Sequence, residues 1–140
     1  MASFARAPTK LPAALSYGFE VIPLTSRLVA RAAQPFVMGR WSTTFFTNKF
    51  RHALASVPAS TLAHRLREVL KVDVTKDLKC LTLPMLYLAA RRDRLISERL
   101  SKDFALANCR LISVEGPHFL LQAKPQETAA IVRNFLAQLK

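Results

Sequence analysis

Two short apolar runs rich in β-forming residues dominate the second half of the chain. The first run, Met85–Ala90, stops at Arg91, and the second, over residues 110–114, stops at Glu115. Between them, residues 98–107 have helical character and offer three large apolar side chains for burial: Leu100, Phe104 and Leu106. Strand, helix and strand in this order predict two neighbouring parallel strands joined by a crossover.

Helical patterns precede this unit. The apolar spacing predicts a helix that begins near Pro23 and two further helices, over residues 48–57 and 61–72. Ser60 is the expected N-cap of the last of these helices. Residues 73–79 are mostly polar and predict a connector that leads into the first strand.

A final helix is predicted to follow the second strand. Pro125 suits its first turn, and Glu127 lies favourably near the positive end of the helix dipole. The residues expected to pack on the sheet are Ala129, Val132, Phe135, Leu136 and Leu139. The predicted fold is therefore α/β, with a small parallel sheet of two or three strands, a helical lid and a closing C-terminal helix.

The charge of the chain is strongly positive and unevenly distributed. The 140 residues contain 21 Lys and Arg against 9 Asp and Glu, a formal net charge of +12. Residues 1–71 carry 10 basic and 2 acidic side chains, so most of the excess lies in the first half. Such a balance favours anionic partners, but the basic residues are scattered and accompany no nucleic-acid motif. A solvated basic surface is the expectation, and no specific nucleic-acid partner is predicted.

Composition excludes several classes of protein. Hydrophobic residues make up 51% of the chain, which argues against disorder. The longest apolar run, residues 83–90, is far shorter than the roughly 18–20 residues that span a bilayer, so no transmembrane segment is predicted. Cys80 and Cys109 have no metal-ligand spacing and are expected to be reduced and buried, so neither a metal nor a cofactor is expected.

The presence of only two cysteines, both expected to be reduced, favours a cytoplasmic location. A competing interpretation treats residues 1–40 as a mitochondrial transit segment. They contain Arg and Ser but one acid only, Glu20.

Two residues with catalytic potential, Asp93 and His118, follow the two predicted strands. Because the carboxyl ends of parallel strands meet at one edge of a sheet, both side chains are expected at the edge that binds ligands. A carboxylate that holds one imidazole nitrogen in its N–H form leaves the other nitrogen free to act as a base. Taken singly, the aspartate is typical of a turn and the histidine of a loop. Their joint placement favours an acid–base pair, whereas His52 and His64 are expected on the surface.

Residues 78–139 resemble the C-terminal portion of α/β-hydrolases of the serine esterase or lipase type. The resemblance rests on Leu-Pro-Met-Leu-Tyr-Leu at residues 83–88, on Asp93 with the Leu-Ile pair at 95–96, and on Gly-Pro-His-Phe-Leu-Leu-Gln at 116–122. It implies that Asp93 is the triad acid and His118 the triad histidine. It also implies three regions: a remnant strand and loop over residues 1–10, a helical lid over 11–77 and a C-terminal hydrolase segment over 78–140.

The family places its lid where this chain is rich in aromatic residues. An acyl pocket and ordinary core packing are both consistent with that pattern. The resemblance favours the pocket, and the predicted substrate-binding residues are Trp41, Phe45, Phe46, Phe50 and Phe119.

The nucleophile of that family is missing from the sequence. The serine elbow has the pattern G-x-S-x-G, but the three glycines, Gly18, Gly39 and Gly116, cannot bracket a serine at that spacing. An HGGG-like oxyanion motif is also absent. One hypothesis is a C-terminal fragment of a serine hydrolase that acts on a small acyl or ester substrate in the complete enzyme and is inactive alone. The alternative is a non-catalytic module that docks with a separately encoded N-terminal half.

Overall fold

Two parallel strands form the sheet in the computed structural model, which describes residues 4–8, 26–106 and 108–139. They are β1 (Met85–Ala90) and β2 (Cys109–Val114), and every residue of one strand has a partner in the other. These are the strands of the one sheet in the described ranges. The predicted α/β architecture, a small parallel sheet accompanied by helices, is confirmed.

The crossover between the strands is a 3₁₀ helix, Glu98–Phe104, which is shorter than the helical stretch predicted over residues 98–107. Ser101 donates its hydroxyl to the carbonyl oxygen three residues earlier, at 2.6 Å, and such side-chain bonds compete with α-helical hydrogen bonds. Leu100 is buried as expected. The ring of Phe104 stacks on Tyr87 of β1, with centroids 4.1 Å apart. The crossover therefore covers part of the sheet despite its shorter form.

Three α-helices occupy most of residues 26–71: α1 (Arg27–Val37), α2 (Thr44–Ala55) and α3 (Ala59–Lys71). Ser26 caps α1 by accepting a hydrogen bond from the backbone N–H of Val29 at 3.2 Å. The predicted start of this helix near Pro23 lies outside the described residues. A 3₁₀ turn, Gly39–Trp41, links α1 to α2, and its glycine has a positive φ of 51°.

The two predicted helices on either side of Pro58 are both present. The expected N-cap of the second one is wrong, however, because α3 begins at Ala59 and Pro58 occupies the capping position. The proline has a φ of −55°, which lets the helix start directly after it. Ser60 is therefore already inside the first turn.

The predicted polar connector before β1 contains a short helix, α4 (Thr75–Cys80). The Asp73 carboxylate starts it by accepting from the backbone N–H of Thr75 at 3.1 Å and from its hydroxyl at 2.6 Å. Leu78 is buried beneath the helix. Cys80, at its end, is exposed and Cys109 is half-buried, so the expectation that both thiols are buried is wrong, although both are free.

Residues 4–8 attach to the end of the helical region. Arg6 forms an isolated antiparallel bridge with Asp73, and its guanidinium pairs with Asp103 of the crossover at 2.9 Å. This segment stands apart from the described two-stranded sheet. Residues 11–25 of the predicted lid lie outside the described ranges, and the three predicted regional boundaries remain predictions.

The chain closes with a short helix, α5 (Leu120–Ala123), and the predicted longer one, α6 (Pro125–Ala137). Thr128 is buried on α6 because its hydroxyl donates to the carbonyl oxygen of Lys124 at 2.7 Å. Phe135, from the predicted face, is half-buried. The rest of that face is exposed, so this part of the prediction is wrong: Ala129, Val132, Leu136 and Leu139.

No helix within the described ranges combines the length and the apolar character that a membrane crossing requires.

Candidate active site

Backbone pairing continues past the ends of both strands and holds the two following loops together. Arg91 donates its N–H to the carbonyl oxygen of the last residue of β2 at 2.9 Å, and Arg92 donates to Gly116 at 2.9 Å. The loop after β1 therefore runs beside the loop after β2. Asp93 and His118 reach the same edge of the sheet as a result.

A close approach of α5 to the second loop fixes the position of His118. Gly116 and Pro117 are both buried. A Cβ atom on Gly116 would lie 2.4 Å from the Leu120 side chain, so a larger residue would force the leucine to move. Phe119 donates its N–H to the carbonyl oxygen of Val37 at 3.1 Å, which ties this loop to the end of α1.

The structure brings Asp93 and His118 into direct contact. Oδ2 of the carboxylate lies 3.0 Å from Nδ1 of the imidazole. The Asp93 side chain is 5% exposed and the His118 side chain 21% exposed, so the pair is largely shielded while the imidazole still reaches solvent. A shielded acid beside an accessible imidazole is the arrangement in which a carboxylate orients a general base.

The second carboxylate oxygen of Asp93 is held by the backbone. Oδ1 accepts hydrogen bonds from the N–H groups of Leu95 at 2.8 Å and Ile96 at 2.9 Å. Burial acts to raise the pKa of Asp93, but the hydrogen bonds from His118 and from these two N–H groups outweigh it. The pKa of Asp93 is therefore lower than its usual value, and the group is a fixed anion at neutral pH.

An ionised carboxylate can only accept hydrogen bonds, which assigns the tautomer of His118. Nδ1 carries the proton and donates a hydrogen bond to Asp93, and in the neutral imidazole Nε2 presents its lone pair. Within the described ranges, Nε2 has no hydrogen-bond partner. The Phe119 ring meets the imidazole edge-on at a centroid distance of 5.4 Å and limits its rotation.

All five predicted substrate-binding aromatics line one cleft of about 680 Å³ between α2 and α5. Its centre is a cluster in which Phe119 lies 5.5 Å from Phe46 and 6.1 Å from Phe50, measured between ring centroids. Trp41 and Phe45 complete the aromatic wall. The cleft reaches Phe119, the neighbour of His118, although His118 itself is not among its lining residues.

Sequence reasoning missed the other seven residues that line this aromatic cleft: Met38, Thr43, Lys49, Ala53, Leu54, Gln122 and Ala123. A signal for the last two exists, because they lie three and four residues after Phe119 and so share one side of a helical turn with it. Met38 has no such signal, since its position depends on how α1 ends. His52 and His64 are exposed, as predicted.

Metal chemistry has no visible site in the described part of the chain. No group of three or more His, Cys, Asp or Glu side chains gathers there as a metal ion would need. What this edge presents is the accessible imidazole of His118 beside the shielded carboxylate of Asp93.

Comparisons with solved structures agree with this topology. The chain matches a hydrolase from Pseudomonas aeruginosa with a TM-score of 0.75 and 20% identity, over 93% of this chain and 52% of the other. An enol-lactonase from Burkholderia xenovorans matches with a TM-score of 0.75 and 14% identity, over 96% and 53%. A thermophilic esterase from Thermogutta terrifontis matches with a TM-score of 0.76 and 14% identity, over 96% and 53%.

The chain has the α/β-hydrolase fold. It spans about half the length of these solved structures, as expected for the lid and C-terminal portion of that fold. No protein-family profile matches the sequence, and no curated protein sequence matches it.

Proposed function

We propose that this chain supplies the acid and the base of an α/β-hydrolase that cleaves esters or related acyl compounds, while the serine nucleophile comes from another polypeptide segment. The observation that carries the proposal is the 3.0 Å contact between Asp93 and His118. The aromatic cleft beside His118 supports it, because an apolar cleft of this size suits an acyl chain.

The proposed mechanism uses the free nitrogen of His118. As the serine oxygen attacks the acyl carbon, Nε2 takes the hydroxyl proton and later returns it to the leaving oxygen. Asp93 does not take the proton. It holds the imidazole in the required tautomer and stabilises the imidazolium that forms between the two transfers.

The site is proposed to act in a cytoplasmic enzyme, since both cysteines are unpaired. The substrate is proposed to be a small acyl or ester compound whose apolar part contacts Phe46, Phe50 and Phe119.

A complementation assay tests the proposal. A short-chain chromogenic ester is incubated with the chain alone, with an N-terminal hydrolase half that carries a serine elbow, and with both together. We expect turnover in the mixture only, and a loss of at least about 10⁴-fold in His118→Ala, since the base is then absent. The matched control is His52→Ala, whose exposed side chain lies outside the site and whose variant keeps full activity. A mixture that forms a complex yet shows no turnover contradicts the catalytic proposal.

The second candidate function is a non-catalytic module that docks with a separately encoded N-terminal half. Exposed apolar residues favour it, above all the row on α6 formed by Val132, Leu136 and Leu139. Leu83, two residues before β1, is also exposed, and within the described ranges β1 pairs with one strand only, which leaves its other edge open. Both features suit the missing half of a larger sheet, because a free strand edge can accept another strand. Binding of that half without hydrolysis is the outcome that selects this candidate.

A further inference from the structure

A second cleft shares Met38 and Trp41 with the aromatic one. It has a volume of about 470 Å³. The last turn of α1 forms one wall, with Phe36 exposed there, and the loop after β1 forms the opposite wall. Pro117, which is fully buried, contributes to its lining. We call it the arginine cleft, because four arginines line it: Arg40, Arg91, Arg92 and Arg94.

The acidic groups near these four arginines balance only part of their charge. Glu115 pairs with Arg92 at 2.8 Å and with Arg40 at 3.3 Å. Asp93 also lines the cleft, but its oxygens bond to His118 and to two backbone N–H groups. Four guanidinium groups therefore face two carboxylates, which leaves an excess of two positive charges.

The excess can be assigned to particular side chains. Among the described residues, neither Arg91 nor Arg94 has a close ion pair or a side-chain hydrogen bond, and Arg91 acts on Glu115 only through longer-range charge attraction. Two backbone hydrogen bonds hold the loop that carries these arginines in place. Arg91 donates its N–H to the last residue of β2, and Arg92 donates its N–H to Gly116. Two unpaired guanidinium groups on an anchored loop are a ready donor set for a planar or tetrahedral oxyanion.

The opposite wall supplies an apolar surface. The guanidinium of Arg40 lies 4.4 Å from the centroid of the Trp41 ring, a cation–π contact that orients this arginine along the wall. Phe36 and Pro35 extend the apolar surface next to it. A ligand with one charged end and one flat apolar end fits both walls.

We propose that the arginine cleft binds a small organic dianion, with a phosphate monoester or dicarboxylate group held by Arg91 and Arg94 and an apolar portion against Phe36 and Trp41. The charge excess sets the ligand charge at two, and a cleft of this volume accommodates a small molecule. The arginine cleft shares Met38 and Trp41 with the aromatic cleft, but the proposed dianion site does not depend on the proposed hydrolase activity. The arginines of the cleft would then bind a ligand in addition to contributing to the net charge of the chain.

Calorimetric titration of the full chain tests the proposal without any activity assay. Phenyl phosphate and phthalate probe the two kinds of dianion, while benzoate and benzamide test one negative charge and none. The titrations are made at pH 7.5 and 0.15 M salt, where a phosphate monoester is mostly doubly charged. We expect saturable one-to-one binding of at least one dianion, and binding at least about tenfold weaker for benzoate, because each charge-assisted hydrogen bond contributes strongly.

Matched double variants separate a specific site from the general positive charge of the chain. Arg91→Gln with Arg94→Gln removes two charges from the cleft, and Arg99→Gln with Arg133→Gln removes two exposed charges elsewhere. We expect the first pair to weaken dianion binding at least about tenfold and the second pair to change it less than about twofold. Equal losses in both pairs, or no loss in the first, would overturn the proposal. Circular dichroism on both pairs shows that the comparison is made between folded proteins.

Discussion

At the scale of single residues, the orientation of His118 follows from the charge state of Asp93. The carboxylate uses one oxygen for two backbone N–H groups and the other for Nδ1 of the imidazole. Every one of these partners is a donor, so an acceptor-only group is required at position 93. The loop after β1, which carries Asp93, therefore fixes the tautomer that leaves Nε2 available.

We predict that Asp93→Asn reverses this tautomer. The amide oxygen can still accept from the backbone, but the amide NH₂ then faces Nδ1, and two donors cannot share a hydrogen bond. The imidazole responds by moving its proton to Nε2, which removes the basic lone pair from the accessible side. Nitrogen NMR shifts of a ¹⁵N-histidine sample at pH 8 distinguish the two tautomers. An Nδ1–H form that persists in the variant would show that the carboxylate does not set the tautomer.

The same aspartate predicts an acid-sensitive contribution to stability. Because the folded-state pKa of Asp93 lies below its usual value, its contribution is present above about pH 4 and is lost as the pH falls through the folded-state pKa. Asp93→Asn lacks this contribution at every pH. Urea unfolding from pH 7 to pH 3 should therefore show the wild type more stable at neutral pH, with the difference from the variant shrinking in acid. A difference that stays constant across this range contradicts the assignment.

At the scale of the elements, α6 shows where pattern reasoning chose the wrong face. The helix has two apolar rows, one through Ile131 and Phe135 and another through Val132, Leu136 and Leu139, and helical spacing alone does not rank them. The first row is half-buried, and Thr128, one turn earlier, is buried with its hydroxyl donating to the carbonyl oxygen of Lys124. Contacts with the rest of the fold, rather than helical spacing, determine which of the two rows is buried.

We predict very different effects on the free energy of unfolding for two leucine truncations, one in α5 and one in α6. Leu120→Ala removes a side chain that is 3% exposed and should lower the free energy of unfolding by about 2–5 kcal/mol. Leu136 is 54% exposed, and its replacement by alanine should cost less than about 1 kcal/mol. Urea unfolding of both variants at pH 7 provides the comparison. Similar losses would mean that α6 packs through Leu136 after all.

Sequence patterns captured the parts of the fold that depend on local spacing. The parallel strands follow from two short β-rich runs, and the edge that carries Asp93 and His118 follows from the direction of those strands. The arginine cleft escaped prediction, because Arg40 and Arg91 are far apart in sequence and meet only through the end of α1. The hydrolase resemblance supplied the proposed triad roles of Asp93 and His118, which the spacing of two titratable side chains does not determine.

At the scale of the whole molecule, the described elements form about half of a larger sheet fold. The solved structures that it matches are about twice as long, and the described sheet has two strands. Large apolar side chains are exposed on the described elements, including Leu83 and the row on α6. The molecule therefore combines exposed apolar surface, which favours association, with a net charge of +12, which opposes it.

We predict that this balance makes self-association depend on salt. At about 0.01 M salt, charge repulsion extends roughly 30 Å and should keep the chains apart, whereas at about 1 M it is screened within roughly 3 Å and apolar contacts can form. Sedimentation velocity across this range should show a rise in average mass with salt. The pair Val132→Glu and Leu136→Glu should reduce that rise, because it replaces the exposed row with charge.

A matched pair separates lost apolar area from altered charge. Gln126→Glu with Asn134→Glu introduces the same two charges at exposed polar positions of α6. Either pair lowers the net charge to about +10, which by itself weakens repulsion and favours association. If only the variant with Val132→Glu and Leu136→Glu associates less than the wild type, the cause is the lost apolar surface. If both pairs associate as the wild type does, the contact lies elsewhere, and the unpaired edge of β1 becomes the surface to test.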